Sequence, residues 1–448
     1  MSLNFSVLRN SLAASLVFAA AFFYADSLAV KAQTSNRSTA ATADFSSAKE
    51  RVEVFDEVWN TINEKYYDPK FNGVDWNAMR EKYRPQALAA TTNAEFYDVL
   101  TLMVGELRDA YTRVRSPQRR QESKNKQATN AGARLYEVEG VPVIYSVAPD
   151  SEAARAGVAP GMIVRTVDGL PVDDALAKAR REVGTSSSER VTRLLAYSKL
   201  VAGEPDTQLK LGLTRPDKTP FDVTLTRRTV SAPAQFVANL LPSGYAYIKF
   251  DHFQSPVDKQ IKDALIKYKD APALILDLRA NGGGDGELGL KIAGYFFDEK
   301  TTFASIKTRT GKMPSAFFGL FKLPKEFQAG KKGGQLYAHP VVVLINEATG
   351  SASELFADAM QEQNRAQIIG TQSCGCVLGI LNFKKLKDGG DLAVSEIAFV
   401  TAKGRTLEGN GVMPDKPVAL TLADLQSGRD RALKAAESYF NDLLKTKK

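Results

Sequence analysis

The chain has 448 residues, 44% hydrophobic and 25% charged. This is an ordinary globular composition, too long for one typical core, so two or three domains are expected. Two cysteines and two histidines exclude a disulfide scaffold, a structural zinc site and a histidine-rich metal centre. The net charge of +8 is spread over scattered basic residues, with short clusters such as RSPQRRQESKNK. A basic helix interleaved with aromatics is missing, which argues against nucleic acid as a partner.

The N-terminus reads as a targeting segment. Arg9 precedes the apolar, uncharged run SLAASLVFAAAFFY, and VKAQ offers an Ala-x-Ala-like cleavage site after Ala32. The run is too short to span a bilayer comfortably. Residues 1–32 are therefore expected to be a signal peptide removed on export, which places the mature chain in a periplasm, a lumen or the extracellular medium. An uncleaved anchor is the competing reading, and no later run approaches the length of a membrane helix. Small polar residues over 33–48 read as a linker.

Residues 49–120 read as a helical domain. Val54, Val58, Ile62 and Tyr66 recur every four residues, NAEFYDVLTLMVGELRD repeats the pattern with Asn93 placed to cap it, and the turn-rich DPKFNGVDW lies between. QRRQESKNKQATN reads as a charged linker. Over 128–230 the pattern changes to strands. GARLYEV and VPVIYSV are followed by a short helix ending near Gly157, a Pro-Gly turn, a strand and an Asp-Gly turn. The helical SSSERVTRLLAYSKLVAG follows, and the hairpin of TQLKLGLTR and PFDVTLTRR closes the module. Over 233–425 strand and helix alternate. YAYIKF precedes a helix over 257–269, ALILDLR a glycine loop and a helix over 287–297, and PVVVLIN the helix after Ser351, which AQIIGT follows. Apolar strands in a βαβα order imply an α/β core. LAVSEIAFVTAKG adds strands, and 426–448 carries a C-terminal helix in DRALKAAESYFNDLLK.

Three features could carry chemistry. The first is Ser351, where a strand turns sharply into a helix. The unpaired N–H groups and positive dipole of a helix start favour an oxyanion beside a nucleophile. Ser351 and Glu354 also spell a capping box, a purely structural alternative. The second is the glycine loop Gly282–Gly284 after LDLR. It can be an oxyanion loop with Gly283 donating, or simply a turn. Gly284, Gly286 and Gly289 match G-x-G-x-x-G, but the loop is long and FFDEK arrives too soon for a dinucleotide site. The third is the module pattern SEAARAGVAPGMIVRTVDG, more specific than either loop.

In order along nearly the whole mature chain, these stretches resemble the C-terminal processing (tail-specific) family of serine peptidases. FDEVWNTINEKYYDPKFNGVDWNAMREKY and LRDAYTRVRSP resemble its N-terminal helical domain, and APDSEAARAGVAPGMIVRTVDGLPV its PDZ domain. GYAYIKFDHF, ALILDLRANGGG, VLINEATGSASELFADAMQEQNRAQIIGT and LEGNGVMPD resemble its catalytic core. The resemblance implies an α/β, crotonase/Clp-protease-like core with an N-terminal helical domain and an inserted PDZ-like β-rich domain. It makes Ser351 the nucleophile and Gly283 and the Ala352 amide the oxyanion donors. It implies no cofactor and no metal, and protein or peptide substrates with free C-termini, whose carboxylate would be held near Gly132. The oligomeric state is left open.

The pattern breaks at the base. The family usually places a lysine 25 residues after the serine, where Cys376 stands, and a glutamine four later, where Ile380 stands. A tricorn-like branch uses the histidine of D-S-H-T, where this chain has D-A-Y-T with Tyr111; Glu408 in LEGNG matches a supporting acid of that branch. A serine needs a base within hydrogen-bond reach. Cys376 as thiolate, His252, or one of Lys384, Lys385 and Lys403 are the substitutes. The two cysteines are expected as plain buried thiols, a bridge between them being the reducible alternative and a redox switch. Three functions compete: an exported serine endopeptidase, a catalytically silent relative that binds peptides or a partner protease, and a dinucleotide enzyme resting on the glycines alone.

Overall fold

The computed structural model describes residues 47–124, 128–230, 235–316 and 321–445. The expected signal peptide and all but the last two residues of the expected linker lie outside them. Among the described residues no helix is long and apolar enough to cross a membrane.

The core over 235–445 is built on a six-stranded sheet in the order Phe236–Leu240, Ala246–Phe250, Leu274–Asp277, Val341–Ile345, Ala366–Gly370 and Lys416–Pro417. All neighbours run parallel except the first pair. The central strands are buried along their length, as sheets covered on both faces require. Alternation divides the faces. Leu274, Leu276, Val341 and Val343 pack with Ile261 and Leu265 of helix Val257–Lys267 and with Phe356 and Met360 of helix Ala352–Glu362. Ile275, Val342, Leu344 and Ile369 pack with Ala432, Ala436 and Phe440 of helix Arg431–Lys445. The Arg279 guanidinium pins that last helix, bridging Asp277 at 2.6 Å and Asp430 at 2.7 Å.

A second sheet runs Arg113–Arg115, Asp391–Thr401, Thr301–Thr308 and Glu326–Ala329, with Leu378–Lys385 also paired to Asp391–Thr401. Residues 128–230 form a separate sheet of Ala133–Val138, Val141–Val147, Ile163–Val167, Gln208–Thr214 and Pro220–Thr226, with helices Val172–Val183 and Glu189–Val201. Ala133–Val138 is an edge strand, paired to Val141–Val147 on one side.

Several expectations shift. The N-terminal region holds a third helix, Trp76–Ala89, between the two expected ones. Pro85 inside it masks the pattern, since proline normally ends a helix. Thr92, not Asn93, caps the following helix, accepting the Glu95 N–H at 3.1 Å. Part of the expected charged linker is the helix Pro117–Lys124 and the strand Ala128–Asn130. Helix Val172–Val183 is an addition to the module, LAVSEIAFVTAKG contributes a single strand, and a short helix Leu422–Ser427, ended by the left-handed Gly428, precedes the expected C-terminal helix, which spans Arg431–Lys445.

Candidate active site

The turn from strand Val341–Ile345 into helix Ala352–Glu362 is held by its own polar residues. Asn346 Oδ1 accepts the Ala280 N–H at 3.0 Å and the Ala348 N–H at 3.1 Å, and Thr349 Oγ1 donates to the Leu278 carbonyl at 2.8 Å. The turn is thus fastened to the loop after the neighbouring strand. Ser351 closes it with φ 55° and ψ −121° and is 2% exposed. A non-glycine residue in such a conformation costs about 1–3 kcal/mol and persists only where its surroundings over-determine it. The Ser351 N–H donates to Glu354 Oε2 and to the Cys376 carbonyl, both at 3.0 Å. The backbone-to-carboxylate half of the capping box therefore exists together with the strained geometry. The Ala352 N–H, at the first helical position, has no acceptor inside the helix and points its partial positive charge outward.

Gly283 lies directly against this turn. A Cβ there would stand 2.6 Å from Ser351 Cβ and 2.9 Å from the Ala352 nitrogen, and its φ of 101° also suits only glycine. Its N–H, however, donates to Asn281 Oδ1 at 3.0 Å. Of the two expected oxyanion donors, Gly283 is therefore adjacent but engaged, and Ala352 lacks a helical partner. Asn281 also accepts the Ser353 hydroxyl at 2.8 Å and donates to the Phe250 carbonyl at 3.0 Å, so it fixes the loop. Two of the three glycines of the dinucleotide-like pattern serve close packing: Gly284 bridges to Phe253, and Gly289 faces Phe253 and Ala352.

The opposite wall corrects the expectation of free thiols. Cys374 and Cys376 form a disulfide, with a Cα separation of 5.4 Å. One intervening glycine, Gly375 with φ 73°, gives the bend that an extended strand would not. A half-cystine has no ionisable thiol, so Cys376 is not a thiolate base in this state. Its carbonyl instead receives the Ser351 N–H and, at 2.8 Å, the Tyr111 hydroxyl. Tyr111 is fully buried and its hydroxyl is hydrogen-bonded by the Ser351 side chain; burial drives its pKa upward, the nearby Glu354 and Glu408 charges add to this, and the Ser351 bond opposes it. Asp109 fixes the loop by accepting the Tyr111 N–H at 2.6 Å and the Thr112 N–H at 2.8 Å.

The remaining candidates are placed as follows. Glu408 accepts the Val377 N–H at 2.6 Å through one oxygen while the other is buried without a partner. Burial, then the Asp109 charge, push its carboxyl well above the usual range. Lys384 is turned to the N-terminal helices, bonding Thr61 at 2.8 Å and Glu57 at 3.3 Å, and Lys385 and Lys403 are exposed. His252 precedes Phe253 beside the glycine loop, and burial lowers its pKa and favours neutral imidazole. Gly132 in the inserted module donates its N–H to Asn130 Oδ1 at 2.8 Å, so this amide too is engaged.

Glu354 ties the two walls together. Its carboxylate accepts Ser373 Oγ at 2.6 Å, the Gly375 N–H at 2.7 Å, and the Cys376 and Ser351 N–H groups at 3.0 Å each. Burial pushes its pKa up to about 7 against these four bonds, which favour the ionised form. Asp358 and Glu362 continue a buried acidic stripe along the helix, and Arg405 grips both, at 2.6 and 3.0 Å. From the inserted module, Ser188 Oγ donates to the Cys374 carbonyl at 2.7 Å and Arg190 to the Ser373 carbonyl at 2.8 Å and the Asn410 carbonyl at 3.0 Å. Sequence reasoning missed these last contributors. Acids at 354, 358 and 362 on an apolar helix were a readable signal; Ser188 and Arg190 gave none. Glu354, Cys374 and Cys376 bring one ligand atom each within 4.8 Å of one another, but a disulfide offers no thiolate to a metal.

Residues 244–418 match the profile of peptidase family S41, and residues 47–105 that of the tricorn protease C1 domain. The chain is 28% identical over 403 residues to the carboxyl-terminal-processing protease of Synechocystis sp., covering 84% of each protein. It is 27% identical to the chloroplastic carboxyl-terminal-processing peptidase 2 of Arabidopsis thaliana, covering 82% of this chain and 68% of that one. Among solved structures, the photosystem II D1 C-terminal processing protease superposes with a TM-score of 0.56 at 25% identity, covering 82% of this chain and 93% of that one.

Proposed function

We propose, from the match of residues 244–418 to the peptidase S41 profile and of residues 47–105 to the tricorn C1 profile, that the chain is an exported serine-type endopeptidase with Ser351 as nucleophile and a non-standard base. The observation that carries this reading is the conformation of Ser351, held at φ 55° between the first turn of a helix and a glycine with no room for a Cβ. In it, the Ser351 oxygen attacks a peptide carbonyl, the Ala352 N–H receives the oxyanion, and Gly283 joins when its amide is released from Asn281. Glu408 supports the far wall. The module over 128–230 takes the substrate's C-terminal segment by strand addition along Ala133–Val138, whose free edge supports this.

A second reading, a peptide-binding relative without cleavage, is favoured by one observation: in this state Ser351 faces a protonated tyrosine rather than a base. Digestion of casein by the purified chain and by Ser351→Ala, each with and without a dithiol reductant, decides between them. Cleavage by the wild type in either condition, lost in Ser351→Ala, supports the endopeptidase. No cleavage in either condition selects the second reading, and cleavage that survives Ser351→Ala rules out Ser351 as the nucleophile.

A further inference from the structure

We propose that the Cys374–Cys376 disulfide is a redox-active site that holds the enzyme latent, and that its reduction releases Cys376 as the base for Ser351. The proposal rests on the endopeptidase reading above.

Three placements lead to it. First, the disulfide sits on the turn that holds the nucleophile. Cys374 N–H donates to the Thr349 carbonyl at 2.9 Å, Ser351 N–H to the Cys376 carbonyl at 3.0 Å, and a Cβ at Gly350 would stand 3.2 Å from Cys376 Sγ. Second, the closed turn gives the Ser351 proton an acceptor that is not a base. Ser351 meets the Tyr111 hydroxyl, and that hydroxyl donates onward to the Cys376 carbonyl, which is not a base. Third, two other ionisable side chains, Glu354 and Lys384, are committed. The Glu354 carboxylate is filled by four donors, and Lys384 is paired with Glu57. Reduction supplies two new ionisable groups at the turn, and Cys376, whose carbonyl receives the Ser351 N–H and whose sulfur lies against Gly350, is the one set beside the start of helix Ala352–Glu362, which favours its thiolate.

The exchange balances. A dithiol reductant attacks one sulfur, a mixed disulfide forms, and the reductant's second thiol closes on itself. The reductant leaves as a disulfide, and two electrons and two protons pass to Cys374 and Cys376. In the reduced chain the Ser351 proton moves to the Cys376 thiolate as the Ser351 oxygen bonds the scissile carbon. The resulting thiol then protonates the leaving amine as the C–N bond breaks. An oxidising compartment keeps the resting state closed. Both cysteines are buried, at 4% and 2% exposure, so the turn must open for exchange. Ser188 and Arg190, which grip its carbonyls, set how readily.

The test measures casein cleavage, thiol count by alkylation and thermal unfolding for the whole chain, oxidised and dithiol-treated. The wild type should be silent when oxidised and cleave when reduced, with two alkylatable thiols gained. Cys374→Ser, which cannot close the bridge, should cleave without reductant, and Cys376→Ser should be silent in both states while unfolding at a temperature close to that of Cys374→Ser. Arg190→Ala should shorten the lag before cleavage after reductant is added. Ser351-dependent cleavage that is equal in both states, or that survives in Cys376→Ser, overturns the proposal and leaves the endopeptidase standing. Cleavage lost on reduction overturns it too and makes the bridge a clamp that the active form needs. No Ser351-dependent cleavage by any variant in either state removes the endopeptidase reading along with it.

Discussion

The two walls that meet at Ser351 are built differently. One comprises the Val341–Ile345 strand, its turn and the glycine loop; its parts lie on adjacent parallel strands of one sheet. The other comprises Asp109–Thr112, the Cys374–Cys376 turn and Glu408, drawn from three distant stretches and held by Glu354, Ser188 and Arg190. The first wall has the features of a nucleophile site: strain, a helix start and a glycine in close approach. The second has buried acids and a tyrosine hydroxyl. In the proposed reading, the first wall keeps the nucleophile while the second, assembled separately, supplies or withholds its base.

Breaking the first wall should have the largest effect. Gly283→Ala places a methyl group 2.6 Å from Ser351 Cβ and 2.7 Å from the Gly350 carbonyl oxygen. The rate of casein cleavage by the reduced chain should fall about 10²–10³-fold, and the unfolding midpoint should fall with it, because the atoms the methyl group meets belong to the backbone and to a Cβ and the φ of 101° is strained for any residue but glycine. A fall no larger than twofold would mean the loop is not part of the oxyanion site. Severing the joint between the walls comes next. Glu354→Ala leaves a buried hydroxyl and three N–H groups without their acceptor. Each donor left unpaired costs about 1–3 kcal/mol, so denaturant unfolding should show a stability loss of that order or more, along with loss of cleavage.

The smallest effect tests the second wall alone. The Glu408 carboxyl is raised above its ordinary value near 4.5 by burial. Its contribution to stability is therefore full below about that pH and is lost as pH rises through the folded-state pKa. Glu408→Gln keeps an acceptor for Val377 and cannot ionise. Its unfolding temperature relative to the wild type should rise between pH 5 and pH 8. A difference that stays flat across that range would show that Glu408 is not held in a raised state.

The contrast between the walls also explains what the sequence made legible. Apolar runs such as VVVLI and LILD read as buried strands because every residue in them is covered. The Ser351 turn and Gly283 could be picked out because helix starts and glycine loops are local signals. The second wall depends on pairs such as Tyr111 with Cys376, 265 residues apart, and no local rule reaches that far. The cysteines failed for a related reason. Extended-strand spacing was the wrong geometry for them, since Gly375 bends the chain between them. Helix Trp76–Ala89 was obscured by Pro85, which it tolerates because Trp76, Tyr83 and Ala87 are buried against its neighbours.

The strand Asp391–Thr401 carries residues of three hydrophobic clusters in eleven positions: Leu392 and Val394 with the N-terminal helices, Ala393 and Ala398 with the Cys376 turn, and Ile397 and Phe399 with the main core. One short segment thus serves as a common spine. The regions it joins cannot be inherited, excised or swapped as independent cassettes, because each would take with it, or leave behind, part of another's interior.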